Sequence, residues 1–341
     1  MSGVRKALIG LGVCLLVLLL GVVGTGLYVQ HHLAGQLGRI DNAFTGLTDR
    51  PSRPTSGSAA KAVNILLMGS DRRSPVKTTG TSAEAEEWVP GLQRSDTLMV
   101  LHIDGDRHSA TVVSLPRDSW VNVPGYGMNK INAAFSFAGP SLAVATVEKL
   151  TNLRIDHLAT VDWEGFKELT DALGGVTVTV PATVTDSARN ITWTKGEHRL
   201  DGEMALTYVR QRYGLPGGDL DRTRRQQYFL RTLMTQSVQD GMLTDPRKIY
   251  TFLDTLTRNM SVDSDWSVGD MRGLMLSLRN LDADEVSFLN APIAGLGMEG
   301  AQSVVYLDTV TNKSLWKAVR NDTVPDWVAA NPSYLTPNRV S

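Results

Sequence analysis

The sequence predicts an α/β fold: a mixed central sheet sandwiched by helices, preceded by a single N-terminal transmembrane helix. Three observations carry this. Short β-branched runs alternate with longer helical periodicities, two adjacent runs are spaced as a hairpin, and one long uncharged stretch stands apart at the N-terminus. Strand-like runs fall at Val63–Met68, Thr97–Ile103, Ala110–Leu115, Leu158–Val161 and Val176–Val180, with weaker ones at Val286–Leu289 and Val304–Tyr306. Helical patterns interleave at Ser141–Leu150, Trp163–Leu173, Asp221–Val238, Pro246–Thr257, Val268–Leu278 and Thr309–Val319. Alternation of the two kinds argues for helices on both faces of one sheet. Thr97–Ile103 and Ala110–Leu115 turn across Gly105 and read as antiparallel neighbours, which makes the sheet mixed.

The uncharged stretch is Ala7–Val29, long enough to cross ~30 Å of hydrocarbon as a helix. Arg5 and Lys6 precede it, so residues 1–6 are expected in the cytoplasm and the rest outside. A cleaved signal peptide is the competing reading, but its apolar core usually runs only ~7–15 residues. The chain's one cysteine, Cys14, lies within this span, so the exported part has neither a disulfide framework nor a cysteine metal site. Residues 30–61 lose hydrophobic density and end in a Pro/Ser/Gly-rich run, which reads as a flexible linker. One domain is expected over residues 62–326, with residues 327–341 as a peripheral tail.

A hydrophobic share of 42% is enough for a sizeable core, and a net charge of −1 argues against nucleic acid as the main partner. Positive charge is local instead. Arg210, Arg212, Arg222, Arg224, Arg225 and Arg231 cluster between Glu203 and Arg231. Guanidinium groups are planar forks that grip two phosphate oxygens at once.

In GGDLDRTRRQQ, Asp219 or Asp221 can cap the helix that follows. At helical spacing Arg222, Gln226, Phe229 and Leu233 lie within about 60° of one another, with Arg225 at the edge of that face. An arginine and a glutamine on a core-facing stripe need partners, and the positive end of the helix suits an anion. The structural alternative is an Arg222–Asp219 salt bridge. Arg224 and Arg231 fall opposite and read as a solvated face. In YVRQR, Arg210 and Arg212 point the same way only if the preceding helix ends near Val209. Arg117 follows a strand through Pro116, at the carboxyl end where open α/β sheets place ligands, and Asp118 is either its structural partner or a catalyst. Lys130 sits in a glycine-rich loop as a further point charge or a surface lysine. Asp71 and Asp96 bound two neighbouring strands, where they could share a divalent cation or serve as ordinary turn residues. No Walker loop, nucleophile elbow, dinucleotide fingerprint or zinc-ligand histidine spacing is present.

These blocks, taken in order, resemble the LytR-CpsA-Psr family of cell-envelope glycopolymer transferases. The resemblance runs from about Asn64 to Gln239 through ILLMGSD, RSDTLMVLHI, VVSLPRD, KINAAF, DALGGV, DGEMALTYVR and the pattern Asp219–Arg222–Arg225–Gln226. It implies an apolar channel for a polyprenyl tail and transfer of a glycopolymer from a polyprenyl-pyrophosphate carrier to peptidoglycan, with Mg²⁺. By motif position, Asp71 and Asp96 would be the metal carboxylates. Arg117, Arg210, Arg212, Arg222 and Gln226 would hold the pyrophosphate, with Lys130 and Asp219 as helpers, and Asp96, Arg117, Arg210 and Arg222 would carry catalysis. The stretch Arg72–Gln93 is long for the family and suggests an extra loop at the site. Two other functions stay open at this point: a polyprenyl-pyrophosphate hydrolase, and a non-catalytic sensor of lipid-linked precursors. The polymer itself is not legible.

Overall fold

The computed structural model describes residue 35 and residues 37–71, 77–80, 83–86, 88–91, 94–240, 245–279, 281 and 283–336. Among them, seven strands form the central sheet. Its spatial order is Gly38–Ile40, Met260–Asp263, His157–Val161, Val63–Asp71, Arg94–Ile103, Ala110–Leu115, Val286–Asn290. Val63–Asp71 runs parallel to His157–Val161 and antiparallel to Arg94–Ile103, so the sheet is mixed as expected. The Gly105 hairpin is present, with Leu98 opposite Leu115 and Ile103 opposite Ala110.

Period-two alternation divides the core between the two faces. Leu66, Met68, Leu98, Val100, Val113 and Leu115 bury on one side, covered by the Ile131–Thr151 and Thr309–Arg320 helices. Ile65, Met99, Ile103, Ala110 and Val112 bury on the other, against the Pro246–Asn259 and Val268–Ser277 helices. A third cluster joins the Val176–Val180 and Gly196–Leu200 hairpin to the Gly202–Arg210 helix and to Tyr228 and Phe229.

Several expectations change. Val176–Val180 pairs with Gly196–Leu200 outside the central sheet, and Gln302–Leu307 pairs with Ile293–Glu299 in a separate two-stranded sheet, with one further bridge from Val305 to Ser119. The helical pattern at Ser141–Leu150 is the second half of a longer helix, Ile131–Thr151, kinked before Pro140. Gly139 takes φ 71 at that kink, and a Cβ there would lie 2.9 Å from the Trp88 ring. Residues 38–40, inside the stretch read as linker, form the edge strand parallel to Met260–Asp263, with Leu37 and Ile40 buried. The tail is not peripheral either: Trp327 and Thr336 are buried, and Thr336 N–H donates to Phe288 O at 2.8 Å. The expected membrane helix Ala7–Val29 lies outside the described residues, and no described helix is long and apolar enough to cross a membrane.

Candidate functional site

The site begins at a β-bulge. Gly69 pairs with Thr97 while Ser70 pairs with Ser95, so Asp96 is the extra residue of its strand. Bulges re-aim side chains beside functional sites. Here the approach is tight, since a Cβ on Gly69 would meet the Thr97 Cβ at 3.1 Å. Asp71 is opposite Arg94 at the end of the same ladder, so the backbone brings both strand-end aspartates to one edge. The side chains of Asp71 and Asp219 lie outside what the structure describes. Ser70 is buried, and its hydroxyl has no hydrogen-bond partner among the described residues.

Arg117 leaves the strand end through Pro116, as expected, and its Nη1 donates to Asp96 Oδ1 at 2.5 Å. The metal and phosphate sets read from the sequence are therefore physically joined. Asp118 lies 3.6 Å from Arg117 Nε and accepts Lys130 Nζ at 3.0 Å. Lys130 does not sit in a loop: it closes the strand Gly127–Lys130 and cross-pairs with Trp120. Lys130, Asp118, Arg117 and Asp96 thus form a chain of alternating charge, each side chain 13–22% exposed. Alternation fixes the Arg117 fork before any ligand arrives, which lowers the ordering cost of binding.

The Asp219–Gln239 helix supplies the opposing wall. Arg222 and Gln226 are buried, on the face shared with Phe229. Gln226 spans a gap: Thr97 Oγ1 donates to its Oε1 at 3.4 Å, and its Nε2 reaches Val209 O at 3.5 Å. Of the two candidate caps, Asp221 is engaged, accepting Gly217 N–H at 2.6 Å and Arg224 Nη1 at 3.0 Å. Arg224 is exposed, as expected of a solvated face.

Arg231, expected on that solvated face, is instead half-buried. It donates to Thr336 O at 3.0 Å and stands 5.0 Å over the Phe288 ring, where burial lowers its pKa. Gln227, a position without a role in the sequence pattern, is fully buried and donates to Ser114 Oγ at 2.7 Å. The C-terminal segment around Thr336 closes this side of the helix, from more than 100 residues away in sequence.

Arg225 departs furthest from its helical-wheel position at the edge of a face. It is fully buried, donates to Gln211 Oε1 at 2.6 Å and lies 4.6 Å over the Tyr208 ring. Burial lowers its pKa, opposed chiefly by Tyr208 and Asp221. Burial likewise pushes the Tyr208 phenol up to about 12.

The Gly202–Arg210 helix ends where the YVRQR reading requires, with Gln211 extended at ψ 136. Gln211 turns inward to Arg225, with Arg210 as the last helical residue before it and Arg212 just after it. Arg210 is half-buried 4.8 Å over Trp163, a partner the sequence did not reveal, while Arg212 is exposed.

Beneath these residues lies an apolar groove of about 240 Å³. It opens where the second and third core clusters fail to meet, between Leu67, Met99 and Ala159 of the sheet and Phe166, Val209 and Phe229 of the helices. Gly69, Thr97 and Gln226 also line it, so its wall runs directly into the bulge and the arginine-bearing helix. Described residues of the long Arg72–Gln93 stretch pack beside it. Thr78 and Thr79 N–H groups donate to Asp162 Oδ2 at 2.6 and 3.2 Å, and Asp162 caps the Trp163–Ala172 helix through Gly165 N–H.

Fold and site define an α/β domain whose apolar groove reaches Gly69 and Thr97 of the bulge and Gln226 of the arginine-bearing helix. The chain belongs to the LytR_cpsA_psr family, which it matches over residues 35–321. It is 34% identical to the cell wall biosynthesis protein LcpA of Corynebacterium glutamicum over 74% of this chain and 54% of that protein. It is equally 34% identical to the polyisoprenyl-teichoic acid–peptidoglycan teichoic acid transferase TagU of Oceanobacillus iheyensis, over 76% of this chain and 78% of the relative. The chain thus spans only about half of the first of these relatives. The crystal structure of B. subtilis TagV superposes with a TM-score of 0.62 at 26% identity, covering 77% of this chain and 98% of that one.

Proposed function

We propose that this chain is a phosphotransferase of cell-wall assembly, moving a glycopolymer from a polyprenyl-pyrophosphate carrier to peptidoglycan through a phosphodiester bond. One observation carries the reading: an apolar groove reaches Thr97, next to the Arg117-paired Asp96, and Gln226, one helical turn from Arg222. That combination suits an amphiphile with an apolar tail and an anionic head. Each buried CH₂ of an isoprenoid tail contributes ~0.8 kcal/mol, so the tail supplies affinity and the head sets register. The names of TagU and LcpA support the same reading.

In the proposed step, a peptidoglycan sugar hydroxyl attacks the phosphorus bonded to the glycopolymer. A new P–O bond forms, the bridging P–O bond breaks, and polyprenyl phosphate leaves with the bond electrons. Asp96 or Asp71 takes the hydroxyl proton. Arg117, pre-set by Asp96 and Asp118, and Arg222, Arg210 and Arg212 spread the charge that grows on the phosphoryl oxygens, and such electrostatic stabilisation dominates catalysis of this kind. Gln226 stands where head and tail meet, with Lys130 holding Asp118 and Asp219 at the helix start.

The donor set also suits Mg²⁺, which is usually held by one or two carboxylates plus substrate phosphates. Two aspartates at one end of a ladder, with the buried Ser70 hydroxyl, unpartnered among the described residues, next to Asp71 in sequence, offer hard oxygens of that kind. Asp71 and Asp96 would hold the ion, which supplies positive charge to the pyrophosphate when bound. Ala7–Val29 serves in this reading as a single-pass anchor with the N-terminus cytoplasmic, keeping the catalytic domain outside beside a membrane-borne carrier.

The test is turnover of a pyrophosphate-lipid carrier with purified peptidoglycan as acceptor. Wild type should leave a phosphodiester on the peptidoglycan, Arg222→Ala should lose on the order of 10²–10³ in rate, and Arg224→Ala should keep most activity. Release of lipid phosphate with no product on peptidoglycan would overturn transfer in favour of hydrolysis. Binding without turnover would leave a sensor.

A further inference from the structure

A second polar cluster lies at the opposite end of the Arg94–Ile103 strand. Asp96 and His102 are six residues apart on it, roughly 20 Å at strand rise. His102 is 1% exposed, and its Nε2 faces two carboxylate oxygens, Asp322 Oδ1 at 3.0 Å and Asp104 Oδ1 at 3.5 Å. We propose that His102, Asp104 and Asp322 form a divalent-cation site of the zinc class, separate from the groove.

The hydrogen bonds around the ring carry the argument. Asn64 Nδ2 donates to Arg154 O at 3.0 Å, which turns the amide so that its Oδ1 faces His102 Nδ1 at 2.7 Å. That oxygen can only accept, so the ring proton sits on Nδ1. The lone pair of a neutral ring then points from Nε2 into two carboxylates, an arrangement that needs a positive charge between them. Metal-binding histidines are held this way, with the distal N–H donated to an oxygen acceptor.

Each carboxylate is also divided in its duties. Asp322 Oδ2 accepts Gly105 N–H at 3.1 Å and the Ser58 hydroxyl, and Asp104 Oδ2 accepts the Ser109 hydroxyl. Both Oδ1 atoms are thereby left aimed at His102. Asp104 is 6% exposed, and its Oδ1 has no hydrogen-bond partner among the described residues.

A proton on Nε2 could point at Asp322 or at Asp104, not at both. It would also leave the cluster one negative charge in excess, whereas Zn²⁺ with a neutral ring balances it. The spacing fits as well. Tetrahedral zinc with bonds of ~2.0–2.1 Å sets its ligand atoms about 3.3 Å apart, and the two separations here bracket that value. All three ligand atoms lie within 4.8 Å of one another, and water would complete the four. The ion would tie Asp322, held at φ 61 just past the Thr309–Arg320 helix, to the end of the central sheet.

The experiment is zinc uptake by the full chain after chelator treatment, measured calorimetrically with Zn²⁺ alone and by thermal unfolding. One saturable equivalent is expected, with a raised Tm, and it should persist in Asp96→Asn, which removes a carboxylate at the other end of the strand. Asp104→Asn keeps the shape and should weaken uptake on the order of 100-fold, since even outer-shell losses cost ~10–100-fold. Asp322→Asn provides a second reading of the same loss. No saturable uptake by folded wild type, uptake lost in Asp96→Asn but kept in Asp104→Asn, or a proton found on His102 Nε2 by NMR in the presence of zinc would each overturn the proposal.

Discussion

Nη1 of Arg117, in the turn after the Ala110–Leu115 strand, donates at 2.5 Å to Oδ1 of Asp96, the bulged residue of the neighbouring Arg94–Ile103 strand. In the proposed reading, the carboxylate assigned to the metal or the proton is therefore also the clamp on an arginine assigned to the phosphate. The two side chains are 13% and 16% exposed, so solvent screens the pair only in part.

Residues that act as one unit give non-additive losses. We expect Arg117→Ala and Asp96→Asn each to lower turnover on the order of 10²-fold, and the double variant to fall little further. The check is a double-mutant cycle on transfer rate. Losses that multiply would show that the two groups act independently.

Arg225 and Arg224 are sequence neighbours with opposite fates. Arg225→Ala removes a fully buried guanidinium, strands the Gln211 carbonyl and opens space beside Tyr208. The cost should be about 1–3 kcal/mol, the penalty of leaving a buried neutral acceptor unpaired. Arg224 is exposed and paired only within its own helix turn, so Arg224→Ala should change stability by less than about 1 kcal/mol. Urea unfolding of the two variants measures both, and equal losses would contradict the burial of Arg225.

Tyr208 provides a pH signature. Burial raises its phenol to about 12 from an ordinary 10.0, so the folded state holds the proton more tightly than the unfolded chain. Its contribution to stability is complete below pH 10 and is lost as pH rises from 10 towards 12. Spectrophotometric titration should therefore show one tyrosine ionising only as pH approaches 12, and Tyr208→Phe should remove that step and flatten the alkaline fall in stability. An alkaline titration left unchanged by Tyr208→Phe would contradict the burial of this phenol.

Local patterns made much of the sheet legible, because β-branched runs and a short turn are nearest-neighbour signals. Gly38–Ile40 is invisible to such signals because three residues beside a polar run carry no period, and its pairing partner lies more than 200 residues away. The Asp219–Gln239 helix shows the same limit. Its Arg222 face was readable from spacing, but Gln227 is buried against Ser114 and Arg231 half-buried against Phe288 and Thr336, which no helical wheel contains. At the site, residue types pointed to the arginines and aspartates. The bulge at Asp96, the Trp163 partner of Arg210 and the Lys130–Asp118 contact depend on register and packing between distant strands and helices.

The metal offers the sharpest expectation. Asp71 and Asp96 are 25 residues apart in sequence, and antiparallel register brings them to one end of a ladder. Arg117 already offsets part of the charge on Asp96. It does not offset the repulsion between two carboxylates and an arriving pyrophosphate, which a divalent ion would. Asp71→Asn and Asp96→Asn keep shape and remove charge, so both should lower turnover and shift its dependence on Mg²⁺ to higher concentration. Binding of the lipid tail should survive, because the groove recruits it by apolar burial at roughly 25 cal/mol per Å² rather than by charge. The measurement is carrier turnover against Mg²⁺ for wild type and both variants, with binding of a phosphate-free polyprenol as the control. Full wild-type activity in a chelator, or unchanged turnover in both variants, would remove the metal and leave the arginines to stabilise the phosphoryl charge.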